Sequence, residues 1–136
     1  MSDKIFLDSN ILVYCYSTSD ARKQGIARTL SALDNVHIST QVLNETTNVL
    51  SKKYHIAWND LANLITDFES NFIVHQLTSS EIKKACGIAE RYSFSFFDSR
   101  LVASAMECHC PVLYSEDMQN GQIINNTLKI VKPFIG

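Results

Sequence analysis

The sequence is short of the residues that divide a chain into pieces. It has four Gly and two Pro in 136 residues, no low-complexity stretch and no run that reads as a linker. A second core is thereby disfavoured. Residues 1–136 are expected to form one domain, and 46% hydrophobic residues are enough to fill it. Long apolar runs are missing too. The N-terminal run Ile5-Phe6-Leu7 is ended at once by Asp8, which excludes a secretory core segment or a membrane span there and points to a cytoplasmic protein. The four cysteines, Cys15, Cys86, Cys108 and Cys110, are scattered, and without an export signal they read as reduced thiols. Cys108-His109-Cys110 lacks a second ligand pair at finger-like spacing, so structural zinc is not expected. His37, His55 and His75 have no neighbouring acid and nucleophile in sequence and read as structural or exposed. Excess positive charge is also absent. Twelve Lys plus Arg against fourteen Asp plus Glu give a net charge of −2, which excludes holding a nucleic acid by bulk charge. A phosphate-bearing substrate would have to be met locally, by a few basic side chains or a bound divalent cation.

What is present is an alternation of short apolar strands and helices. Strands are predicted at Lys4–Leu7, His37–Ser39, Phe72–Val74, Pro111–Tyr114 and Leu128–Val131. Helices are predicted over Ile11–Tyr16, over Asp20–Leu33 with Ile26, Ala27, Leu30 and Leu33 as the apolar face, and from an N-cap at Thr40 to about Tyr54. Others are predicted over Trp58–Phe68, from a cap at Thr78 or Ser79 to about Arg91, and over Phe96–Cys108 with Ser95 as cap. Strands separated by helices, rather than by a succession of hairpins, predict an α/β fold with a mostly parallel sheet of about five strands covered on both faces. Ligands in such sheets bind beyond the carboxyl ends of the strands, where the strand order reverses.

Acidic residues stand at those stations. Asp8 follows the first strand, where an Asp-Ser-Asn turn would also serve simply to cap a helix. Glu45 lies three residues after Val42 and four before Val49, so it interrupts an apolar helical stripe; a metal ligand and an edge residue paired with Lys both account for it. Asp98 completes a Ser-x-x-Asp capping pattern with Ser95, yet shares a helix face with Leu101, Val102 and Ala105. Glu116 and Asp117 follow the Val112–Tyr114 strand, and position alone does not choose between them. Carboxylates gathered at one crevice repel unless a divalent cation joins them, and hard oxygen donors suit Mg²⁺ or Mn²⁺.

The strings "IFLDSNILVY", "ISTQVLNETTNVLSKK", "FSFFDSRLVASAMECHCPVLYSEDMQNGQ" and "IVKPF", in this order over nearly the whole chain, resemble the PIN-domain nucleases, in particular the VapC-like toxins of toxin–antitoxin pairs. The resemblance implies an α/β/α sandwich, an acidic Mg²⁺ or Mn²⁺ site and endonucleolytic cleavage of RNA. It makes Asp8, Glu45 and Asp98 the three main acids, favours Asp117 over Glu116 as the fourth, and gives Asn10 and Ser115 the task of orienting carboxylates. It also implies a homodimer and a small antitoxin that shields the crevice.

The chain departs from that pattern at Ser99-Arg100, where the family has small or apolar residues. Arg100 is expected at the surface or an interface, with a phosphate contact as the lesser reading. Lys52 and Lys53, ending the helix that carries Glu45, read as a solvated face that is also a candidate phosphate contact. The aromatics Tyr14, Tyr16, Phe94, Phe96 and Phe97 read as core or dimer surface rather than as stacking platforms for bases. Two other functions compete. An aspartyl-phosphate phosphatase also begins with Asp after the first strand but needs a second acid where Asn10 stands. A non-catalytic RNA- or protein-binding module on the same fold is the stronger rival.

Overall fold

The computed structural model describes residues 3–135; Met1, Ser2 and Gly136, the ends of the expected domain, lie outside the described residues. The elements are β1 (Ile5–Leu7), α1 (Ser9–Tyr14), α2 (Ala21–Ser31), β2 (Val36–Ser39), α3 (Thr40–Tyr54), α4 (Trp58–Asn71), β3 (Ile73–His75), α5 (Ser79–Tyr92), α6 (Phe96–Glu107), β4 (Val112–Tyr114), β5 (Ile123–Ile124) and β6 (Leu128–Val131). They form one sheet in the order β3-β2-β1-β4-β6-β5. Every pairing is parallel except β5 with β6.

The order dictates the layers. From β1 to β2 to β3 the chain steps toward one edge, and from β3 it returns past β1 to β4. Crossovers between parallel strands are right-handed, so helices on the outward steps (α1 to α4) cover one face and those on the return (α5 and α6) cover the other. The result is an α/β/α sandwich. All three residues of β1 are buried, as a strand covered on both faces requires. Phe6 and Leu7 are fully enclosed, each contributing roughly 1.5–3 kcal/mol by burial. The core continues through Ile11, Leu12, Ile38, Val102, Leu113 and Ile130.

Three local expectations change. Ser39, not Thr40, caps α3, its hydroxyl accepting from the Val42 N–H at 3.2 Å. Helix α2 stops at Ser31, so Leu33 leaves the expected apolar face and is 48% exposed. A sixth strand, β5, joins the expected five through a hairpin in which Thr127 N–H donates to Ile124 O at 3.0 Å. Its two central residues, Asn125 and Asn126, have φ of 49° and 59°, the left-handed conformation that Asn tolerates in tight hairpin turns. Among the described residues no helix is long and apolar enough to cross a membrane.

Candidate active site

The strand order reverses between β1 and β4, because the chain leaves β1 toward β2 and returns to β4 on its other side. A crevice must open beyond the carboxyl ends of these two strands. Asp8 leaves β1 there and caps α1, while Ser115, Glu116 and Asp117 leave β4 beside it. The ladder extends one step past each strand: Asp8 N–H donates to Tyr114 O at 3.0 Å and Ser115 N–H to Val131 O at 3.1 Å. Both side chains are thus fixed by backbone.

Asp8 is 8% exposed and held from several sides. Its carboxylate accepts from Ser9 N–H at 2.6 Å and from Ser115 Oγ at 2.7 Å. The Asn10 amide nitrogen reaches Asp8 Oδ2 at 3.4 Å and Asp117 Oδ2 at 3.3 Å, bridging two acids that would otherwise repel. Burial nonetheless pushes the Asp8 carboxyl up to about 6, with the charges of Glu45 and Asp117 adding to the rise and the Ser115 and Ser9 hydrogen bonds opposing it. Asn10 and Ser115 thus both touch Asp8. The Asn10 Oδ1 atom is buried with no partner.

Glu45 projects from α3 into the same crevice. Its carboxylate accepts from Ser9 Oγ at 3.1 Å, from Gln41 Nε2 at 3.3 Å and from Arg100 at 3.2 Å. Asp98 sits in the first turn of α6, whose start is set by Ser95 Oγ accepting from the Asp98 N–H at 3.1 Å. Burial raises the Asp98 carboxyl above its ordinary range, and the Asp117 and Glu45 charges act in the same direction. Asp8, Glu45, Asp98 and Asp117 together line a cavity of about 300 Å³ with Ser9, Ser39 and Gln41. Glu116 turns away. It accepts from Tyr14 Oη at 2.9 Å and from Lys23 Nζ at 2.7 Å, and so is neutralised in a neighbouring groove.

The four expected acids therefore share one cavity, but they do not form a tight cage. Among the described residues no three His, Cys, Asp or Glu side chains are grouped closely enough to hold a metal ion as they stand. Their chemistry still fits one. Every donor is a hard oxygen, the like charges of Glu45 and Asp117 add to the burial that raises the Asp8 carboxyl, and Asn10, whose amide nitrogen bridges Asp8 and Asp117, keeps its own carbonyl oxygen buried and unpartnered. Asp8, Glu45, Asp98 and Asp117 are the residues that would close on a divalent cation.

Arg100 is the correction. Expected at the surface, its side chain is only 12% exposed, lines the acidic cavity and pairs with Glu45. Its Cβ points away from Asp98, but helical side chains lean toward the N-terminus, so a long one returns over residues three and four before it. Its guanidinium carbon lies 4.8 Å from the Phe97 ring centroid and 5.6 Å from that of Phe96. Both rings are exposed, and Phe97 borders the cavity. Lys52 and Lys53 are exposed in the last turn of α3; Lys53 lines a neighbouring groove with Ser9, Asn10 and Asp117. Sequence reasoning passed over Ser9 and Gln41, although Gln41 lies one helical turn before Glu45, a spacing at which side chains meet.

Residues 5–120 match the model of the PIN domain family. No curated protein matches the sequence at a significant level. Solved structures with a similar fold include VapC20 of Mycobacterium tuberculosis, a sarcin–ricin loop cleaving toxin, at 22% identity and a TM-score of 0.66 over 81% of this chain and 87% of that one. A toxin–antitoxin complex from Klebsiella pneumoniae gives 18% identity and a TM-score of 0.70 over 96% and 98%. VapBC2 from Rickettsia felis, bound to a DNA fragment from its promoter, gives 17% and 0.64 over 93% and 96%.

Proposed function

We propose that this chain, which belongs to the PIN domain family, is a divalent-metal-dependent endoribonuclease and the toxin of a toxin–antitoxin pair. The observation that carries the reading is the meeting of Asp8, Glu45, Asp98 and Asp117 around one cavity at the point where the strand order reverses. Residues so far apart in sequence converge there only because the topology brings them together.

Those four acids would hold Mg²⁺ or Mn²⁺, which when bound supplies Lewis acidity toward water and the phosphodiester. The chain's own part is positioning. Ser115, Ser9 and Asn10 fix the Asp8 carboxylate, and Ser9 and Gln41 fix that of Glu45, so few side-chain rotations remain to be lost on forming the site. Asp98, part-buried with its carboxyl raised, is suited to accept the proton of the attacking water. RNA is the substrate and a small antitoxin the partner, by kinship with structures described as a sarcin–ricin loop cleaving toxin and as a toxin–antitoxin complex. The protein acts as a homodimer in the cytoplasm.

The test is cleavage of single-stranded RNA by the purified chain with Mn²⁺, its loss with EDTA, and its loss in Asp8→Asn. The Glu45–Arg100 ion pair favours one rival, a non-catalytic RNA-binding module in which an arginine has taken the cation's place. RNA binding indifferent to EDTA, with no cleavage, would establish the rival instead.

A further inference from the structure

Arg100 presents a physical contradiction if the cavity takes a divalent cation. One of the acids that must receive the ion already holds a guanidinium, at 3.2 Å and largely out of solvent. A fixed cation beside a metal site repels the metal and competes for its ligand. Yet Arg100 is poorly secured for a purely structural role. Its Nε is buried with no hydrogen-bond partner, and among the described residues its ion pairing is the single contact with Glu45. Its other contacts are the faces of Phe96 and Phe97, which anchor a guanidinium without dictating which way its hydrogens point.

We propose that Arg100 is an exchangeable counter-ion: it neutralises Glu45 until a divalent cation takes that carboxylate, and the released guanidinium then binds a phosphate of the RNA at the mouth of the cavity. The inference rests on the nuclease reading of the site. The geometry supplies each component. Phe96 and Phe97 precede Arg100 by four and three residues on α6, a spacing that keeps both rings beside its side chain. Phe97 and Arg100 border the same cavity as the acids, so the freed group stays beside any phosphate seated there. A chain of net charge −2 has no general basic surface to hold RNA, and the cavity among the described residues is lined by no other Lys or Arg. Guanidinium is the side chain best matched to two phosphate oxygens at once.

The consequence is linkage. The metal releases Arg100 for the phosphate, and the phosphate keeps Arg100 off Glu45, so each ligand tightens the other through one side chain. Removing the charge should separate the two effects. Arg100→Met keeps the stem packed on the aromatic faces and deletes the cation.

The test uses the full chain, Mn²⁺ binding followed by electron paramagnetic resonance of the free ion, and a fluorescent oligouridylate followed by anisotropy with and without Ca²⁺ as a non-cleaving ion. Arg100→Met should bind Mn²⁺ at least about fivefold more tightly than wild type, and should lose a similar factor by which Ca²⁺ strengthens RNA binding. Should the variant not fold, the wild type suffices: Mg²⁺ should shift the Arg100 side-chain N–H resonances, and oligouridylate should shift them further. Equal Mn²⁺ affinity in both proteins, or arginine resonances indifferent to Mg²⁺ while the ion binds, overturns the exchange and leaves the nuclease reading intact. Absence of Mn²⁺ binding in both proteins overturns the two together.

Discussion

Among the described residues two acidic side chains are buried, and they are buried in opposite ways. Asp8 is 8% exposed and Glu81, on α5, only 2%. Glu81 sits in the other helical layer with a partner on every side: His75 Nε2 pairs with Oε1, and Ser104 Oγ donates to Oε2 at 3.2 Å. Thr78 Oγ1 adds a contact to Oε1 at 3.4 Å. Asp8 also accepts good hydrogen bonds, but the charged groups acting on it are Glu45 and Asp117, of its own sign. Burial of an acid therefore does not distinguish a structural group from a functional one. The sign of its neighbours does, since a company of like charges persists only where something else is to be bound.

The sharpest way to break this contrast is to neutralise each acid in turn. Asp8→Asn should lower RNA cleavage by on the order of 10³-fold or more, read as initial rate with Mn²⁺, while the circular dichroism spectrum stays native. Glu81→Ala should do the reverse. It leaves His75 and Ser104 facing a void and should cost about 3 kcal/mol in urea unfolding, with cleavage per folded molecule unchanged.

The contrast also has a pH signature. Because the Asp8 carboxyl stands at about 6 in the folded chain against 3.8 ordinarily, the native state binds that proton more tightly than the unfolded state. Its contribution to stability is then fully present below about 3.8 and is lost as pH rises through about 6, a change of at most roughly 3 kcal/mol. Asp8→Asn, measured in EDTA, should accordingly melt several degrees higher than wild type at pH 7.5, with the advantage shrinking toward pH 4. A pH-independent difference would mean that the Asp8 environment is not electrostatically hostile. The smallest expected effect belongs to Lys53, exposed at the edge of the neighbouring groove. Lys53→Ala should weaken RNA binding about equally for all sequences and lower the slope of its salt dependence by about one.

Much of the fold was legible because its signals are local. Short apolar runs marked five of the strands, and capping residues such as Ser95 and Thr78 marked helix starts that need only neighbouring N–H groups to be satisfied. Strand β5 was missed because two residues carry no periodicity, although Asn125-Asn126 was a turn signal in plain view. For the site, strand ends indicated Asp8 and the Glu116-Asp117 pair; only the family resemblance chose Asp117, because the physical reason, Tyr14 and Lys23 holding Glu116, comes from about a hundred residues away. The stripe argument that singled out Glu45 applies equally to Glu81, with Ala85 and Ile88 at four and seven residues on. It went unused there, and alone it would not have told the two apart. Arg100 was misread because helical angle fixes where a side chain starts, whereas a four-bond arm ends a full turn away.

The four acids of the cavity come from the turn after the first strand, the third helix, the last helix and the loop after the fourth strand. No contiguous fragment shorter than most of the chain holds the set. A product that terminates before β4, or a nicked protein that loses its last third, keeps at most three of the carboxylates. Whatever reaction the cavity performs is thus withheld from the growing polypeptide until the segment that carries Asp117 has been made and folded.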